Sequence, residues 1–181
     1  MKTFKMLFSV LIASTVLCSC SNDEEYSPMV ASSVLNSLYV SVSDKQGEPM
    51  NSAELLSDGG FSVIEKKSKK RAKVEVRDYE GMEMLAFDVG LPDMKYMVFN
   101  KDRTEAQGTV ELVMNIKGMK MPMIVNFIFT SSKDAAMFGG NGIRIKSIEY
   151  SNKTIRPTEK MGINSIRIRY DGKNTAIEPW G

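Results

Sequence analysis

Period-two alternation of apolar and polar side chains runs through most of the chain beyond residue 37 and predicts strands. Leu38, Val40 and Val42 alternate with Tyr39, Ser41 and Ser43, and the following Asp44-Lys45-Gln46-Gly47-Glu48-Pro49 is rich in turn formers. Val74 and Val76 alternate with charged residues. Met82, Met84 and Ala86 alternate with Glu83, Leu85 and Phe87, and Tyr96 to Phe99 is a short apolar run. Gly81, Gly90, Pro92 and Asp93 punctuate these segments.

The clearest unit is Thr109 to Ile116 followed by Met121 to Thr130, joined by Lys117-Gly118-Met119-Lys120. On its second arm Val125, Phe127 and Phe129 share one face, with Ile124, Asn126 and Ile128 on the other, so a central strand is expected. The later segments IRIKSIEYSNKTI and IRIRYDGKNTAI echo one another and predict two similar hairpins, turning at Ser151-Asn152-Lys153 and at Asp171-Gly172. Helix signals are scarce. Lys133 to Phe138 fits one capped turn after Ser131-Ser132, before Gly139-Gly140-Asn141-Gly142 stops it.

Short strands at intervals of about 8 to 15 residues predict an all-β fold: a single antiparallel β-sandwich, immunoglobulin-like or transthyretin-like, over residues 38–181. A small closed β-barrel is the alternative. About 145 residues suffice for one domain burying roughly two thirds of its unfolded surface, and no repeat or long linker divides them. The segment Tyr39 to Met50 resembles the opening strand and turn of many modules on bacterial surfaces.

The first twenty residues read differently. Lys2 and Lys5 form a positive start, and Met6 to Leu17 is an apolar stretch of signal-peptide length, too short to span a membrane. Leu17-Cys18-Ser19-Cys20 resembles the lipobox of bacterial lipoproteins: aliphatic, variable, small, then Cys. The resemblance implies a signal peptide over 1–19, lipid on the Cys20 thiol and an acylated amine. Several acyl chains hold a protein where one binds only reversibly, since each buried methylene contributes about 0.8 kcal/mol. Ser21-Asn22-Asp23-Glu24-Glu25 resembles the acidic export tag of surface-displayed outer-membrane lipoproteins, with a periplasm-facing orientation as the alternative. Residues 20–37 read as a lipidated, polar tether.

These assignments narrow the chemistry. Both cysteines lie in the signal and its junction, leaving the mature domain without a thiol, and histidine is absent. Ser-His-Asp and Cys-His arrangements are excluded, and no Ser stands three residues before a Lys as a Ser-Lys dyad requires. No cofactor is expected. Loss of Lys2 and Lys5 with the signal brings the formal charge from +2 to zero, so no nucleic-acid partner is indicated.

Four features remain as candidate sites. Lys66, Lys67, Lys69, Lys70 and Arg71, with Lys73, form a basic run that could suit an acidic glycan or phosphate-bearing lipid but fits a solvated hairpin tip or a protected edge strand better. Met119, Met121 and Met123, with Met82 and Met84, invite Cu(I) but fit adaptable core filling better. Gly139 to Gly142 lacks the Lys-Ser/Thr of a phosphate loop. Tyr39, Tyr79, Tyr96, Tyr150, Tyr170 and Trp180 offer sugar-stacking faces, and Asp78, Glu80 and Asp171 are candidates for an acid pair. The leading expectation is a noncatalytic, lipid-anchored binding or accessory module for glycan or protein. A structural subunit of a surface adhesin or fimbria-like fibre, and a hydrolase using carboxylates alone, are the alternatives.

Overall fold

A computed structural model describes residues 31, 33–131 and 141–181. The predicted alternation becomes strand almost everywhere, and two sheets pack face to face. The first carries β1 (Ser33–Leu35), β9 (Gly142–Tyr150), β8 (Met119–Thr130), β7 (Glu105–Ile116) and β3 (Phe61–Glu65) in that order; β10 (Lys153–Ile155) also pairs with β9, and β6 (Val98–Phe99) with β7. The second runs β11 (Thr158–Lys160), β12 (Ile163–Tyr170), β2 (Ser37–Ser43), β5 (Met82–Asp88), β4 (Glu75–Tyr79), with β13 (Thr175–Pro179) also on β12. The all-β sandwich expected from the sequence is the fold observed.

The long hairpin β7–β8 keeps register from Glu105 opposite Thr130 to Ile116 opposite Met119. Its connection is shorter than expected. Lys117 and Gly118 alone turn the chain, at φ 47° and 87°, so Met119 and Lys120 join β8. Two successive positive-φ residues give the mirror-image turn whose twist matches paired strands. The same device closes β4–β5 at Glu80-Gly81, β9–β10 at Ser151-Asn152 and β11–β12 at Met161-Gly162. The echoing segments form β9–β10 and β12–β13, one hairpin in each sheet. β8 is central, with Val125, Phe127 and Phe129 buried.

The main core lies between the sheets. Leu38, Val40, Leu85, Phe87, Ile166 and Ile168 of the second sheet meet Leu112, Met114, Val125, Phe127, Phe129 and Ile145 of the first. Met121 and Met123 belong to this core, the role adaptable thioethers suit. The helix α1 (Ser52–Ser57) caps one end, with Leu55 buried, Ser52 Oγ donating to the Glu83 carbonyl, and Asn51 Oδ1 accepting from Glu54 N at 2.9 Å. The helical turn expected at 133–138 lies outside the described residues.

The sandwich is not wholly antiparallel. β1 runs parallel to β9 and β2 parallel to β12, because the chain leaves the first sheet at Leu35 and enters the second at Ser37. Asn36 is the pivot. Its amide donates to the Val89 carbonyl at 2.7 Å, and Val89 N donates back to its carbonyl at 3.0 Å. The buried Asn164 amide donates to the carbonyls of Leu35 and Ser37, each at 3.3 Å, spanning the switch. Sheet pairing thus begins at Ser33, inside the stretch read as tether.

The second sheet is curled. If it were flat, β4 and β11 would stand four strand spacings apart, about 19 Å. Instead Glu80, just past β4, forms an ion pair with Lys160 at the end of β11, and the Tyr79 ring lies 5.4 Å from Trp180, just past β13. Tyr79 also meets Tyr39 edge-on at 5.4 Å. Met84, Ala86, Tyr79, Ser41, Ser43 and Ser165 are buried yet stand outside the main core, and the curl encloses them. This half-barrel is an intermediate between the sandwich and the closed barrel weighed above, with its edges joined by side chains.

Candidate functional site

The face of the first sheet that points away from the core is open, and its rows follow from strand register. Ile64, Val113 and Pro122 form one row; Glu111, Ile124 and Glu149 the next; then Thr109, Asn126 and Ser147; then Val98, Gln107, Ile128 and Arg144. Eight large hydrophobic residues are exposed among those described. Six of them, Ile64, Leu91, Met94, Tyr96, Val98 and Ile124, lie on this face or on the loop that rims it. Clustering of exposed apolar groups marks a surface for a macromolecule more than scattered ones do.

The rim loop is set down on β7 by a glycine. Between the stretches paired with β3 and β6, Gly108 faces Pro92, and a Cβ on it would stand 2.8 Å from the proline Cβ. Asp93 Oδ1 accepts from Lys95 N at 3.2 Å and starts the single 3-10 turn Met94–Tyr96. This raises Tyr96, which stays 63% exposed. Lys67 Nζ and Lys95 Nζ lie 4.2 and 4.9 Å from its ring centroid, contacts worth about 0.5–1 kcal/mol each at an exposed site, and they fix the ring's orientation.

The basic run forms the turn after β3. Glu65 N donates to the Lys70 carbonyl and Lys69 N to the Glu65 carbonyl, both at 2.9 Å, and Arg71 folds back beside Ile64. The run serves several purposes at once. Lys66 pairs with Glu111 at 2.5 Å, Lys67 covers Tyr96, and Lys73 pairs with Glu75 at 2.6 Å. The side chains of Lys69, Lys70 and Arg71 have no partner among the described residues. Lys66, Lys67 and Lys69 line a groove of about 950 Å³ with Leu91, Tyr96 and Thr109, whereas Lys70 and Arg71 stand outside it. Its carboxylates are engaged: Glu65 by Ser68 Oγ at 2.8 Å, Asp93 by Lys95 Nζ at 3.1 Å, Glu111 by Lys66. The Lys95 ammonium holds the Asp93 carboxyl below its ordinary value.

Two further depressions adjoin this groove. One of about 480 Å³ shares Tyr96 and Thr109 with it and continues to Val98 and Asn100. Another, of about 540 Å³, shares Lys66 and Glu111 and continues past Ile124 to Asn152 and Lys153. The three form one track across the open face.

The other candidates are dispersed. Of the six aromatics, Tyr39, Tyr79 and Trp180 cluster in the curl, where Tyr79 Oη, Trp180 Nε1 and Ser43 Oγ are buried without a hydrogen-bond partner among the described residues. Tyr150 and Tyr170 pack on the core, and the Tyr150 hydroxyl meets Thr175 Oγ1 at 2.5 Å across the two sheets. Asp78 and Asp171 serve their own turns, accepting from Gly81 N and from Lys173 and Asn174 N respectively, while Glu80 pairs with Lys160. Backbone N–H donors from Asn174 and Lys173 hold the Asp171 carboxyl below its usual value. Each of these carboxylates thus has a partner of its own.

Cys20, Gly139 and Gly140 lie outside the described residues. Among those described, no helix is long and apolar enough to cross a membrane, and no group of three or more His, Cys, Asp or Glu residues is placed to hold a metal ion. Sequence reasoning placed Ile124 outward and included Tyr96 among the aromatics, but it missed Leu91 and Val98. The short apolar run Tyr96 to Phe99 was the available signal for Val98. The chain matches no family model, no curated protein and no solved structure.

Proposed function

We propose that this chain is a lipid-anchored surface protein, held to the outer membrane through Cys20, whose sandwich is a noncatalytic binding module for a glycan or protein. The supporting observation is the open face of the first sheet, where exposed Tyr96, Leu91, Val98 and Ile124 alternate with engaged carboxylates and lysines along one track. A catalytic module would bring reactive groups together. This face distributes contact groups instead.

The test applies fluorescently labelled full chain, in detergent, to an array of polysaccharides and cell-surface proteins. Face-dependent binding is expected: Tyr96→Ala and Ile124→Glu lower it about tenfold, while Met161→Ser, at an exposed turn of the other sheet, leaves it intact. Equal binding by all variants, or none by wild type, sinks the reading. In cells, Cys20→Ala should abolish incorporation of labelled palmitate, and added protease should remove the domain from intact cells.

A further inference from the structure

Resting on the reading of this face as a binding surface, we propose that its ligand is a linear acidic glycan. It lies along the track from Val98 and Asn100, past Tyr96 and over the Lys66–Glu111 pair, to Asn152 and Lys153. Successive depressions share Tyr96 and Thr109, then Lys66 and Glu111, so the floor is continuous and suits a chain over a single terminal sugar.

The arrangement of apolar groups separates glycan from protein. A protein interface concentrates its apolar residues in a dry centre. Along the track they are interleaved, Ile124 standing between Glu111 and Glu149 and Ile128 between Gln107 and Arg144, while the apolar row Ile64, Val113 and Pro122 meets the track only at Pro122. A sugar presents a C–H face beside hydroxyls at every unit, and each depression offers the matching pair. Tyr96 stands by Thr109 and Lys69, Ile124 by Asn152 and Lys153, and Val98 by Gln107 and Asn126.

Charge selects the acidic class. Of the five carboxylates along the track, four are engaged, Glu149 by the Asn126 amide at 2.8 Å and Glu65, Asp93 and Glu111 as described above; Glu105, at the Val98 end, has no side-chain partner among the described residues, so the acidic groups of the ligand are met at the Lys69 and Lys153 positions. Lys69 and Lys153 on the track, and Lys70 and Arg71 beside it, have no partner among the described residues. Acidic substituents on the chain supply what these cations lack, and their attraction weakens as salt rises.

The experiment titrates the full chain in detergent with polygalacturonate oligomers from trimer to dodecamer, and with neutral cello-oligomers of the same lengths. Affinity for polygalacturonate should rise about tenfold or more from the shortest oligomer to the longest as further subsites fill. Val98→Asp and Lys153→Glu, at opposite ends, should each weaken the dodecamer about threefold or more and leave the trimer unchanged, while Tyr96→Ala weakens both. A trimer that binds as tightly as the dodecamer removes the chain; equal binding of the neutral oligomers removes the acidic class. Face-dependent binding to a protein on the array, with no oligomer bound, overturns this proposal and leaves the module reading intact. Absence of face-dependent binding to any probe ends both.

Discussion

Tyr79 and Tyr96 carry the same side chain and are put to opposite uses by their neighbours. Tyr96 is lifted by a 3-10 turn and oriented by two ammonium groups, whereas Tyr79 is 7% exposed between Tyr39 and Trp180, with its hydroxyl buried and unpartnered. An unsatisfied buried hydroxyl costs roughly 1–3 kcal/mol. Tyr79→Phe keeps the ring contacts and removes that cost, so it is expected to raise the thermal midpoint, followed by circular dichroism, by about 2–4 °C per kcal/mol recovered. A lower midpoint would show that the hydroxyl finds a partner in solution. Asn164 is the contrasting case, a buried amide whose donors reach two carbonyls across the sheet switch. Nothing local distinguishes these residues in the sequence. Burial and satisfaction depend on partners distant along the chain, which is why six aromatics could be named as candidates while Tyr96 alone among them is both on the track and largely exposed, Tyr150 lining it half-buried.

The elements divide along the same line between local and distant causes. Hairpins were legible because their determinants are adjacent: Lys117-Gly118 between two alternating arms, Ser151-Asn152 and Asp171-Gly172 after the echoing Ile-Arg-Ile runs. The helix α1 was legible too and was overlooked, since Asn51 and Glu54 stand at capping-box spacing. The curl of the second sheet was not, because its clasp joins Glu80 to Lys160, eighty positions apart. The Glu80 carboxylate raises the Lys160 pKa above its ordinary 10.5. A raised folded-state value means that the stabilisation is complete below 10.5 and is lost as pH climbs through the higher value. Trp180 is the only tryptophan and lies against Tyr79, so its emission reports the clasp. Its emission in the wild type should change above pH 10.5 in excess of any change in Lys160→Arg, whose guanidinium stays charged. Tyrosine ionisation is common to both proteins, so coincident profiles would mean that the ion pair does not hold the curl.

At the scale of the molecule, the N-terminal segment ties the two sheets together, so the described fold extends before Leu38. Alternation from Leu38 onward pointed to a domain over 38–181, yet the three residues of β1 already pair in register with Gly142 to Arg144, and Asn36 exchanges hydrogen bonds with Val89. A three-residue parallel strand at a sheet edge carries too little pattern to be seen in sequence, and its polar pivot reads as linker. The open face was hidden for a related reason: the basic turn was visible as a charge run, but the groove beside it is completed by the Pro92 loop, which packs closely on Gly108 of β7 from elsewhere in the chain. The consequence for the boundary is measurable. A chain beginning at Ser37 loses the β1–β9 ladder, both Asn36–Val89 bonds and one acceptor of the buried Asn164 amide. At about 0.5–1 kcal/mol for each net hydrogen bond, that is roughly 2–5 kcal/mol relative to a chain beginning at Ala31. The urea midpoint of the shorter chain should fall accordingly, with an unchanged slope if the same sandwich remains. Equal midpoints would return β1 and Asn36 to the tether and leave β2 as the first structural strand.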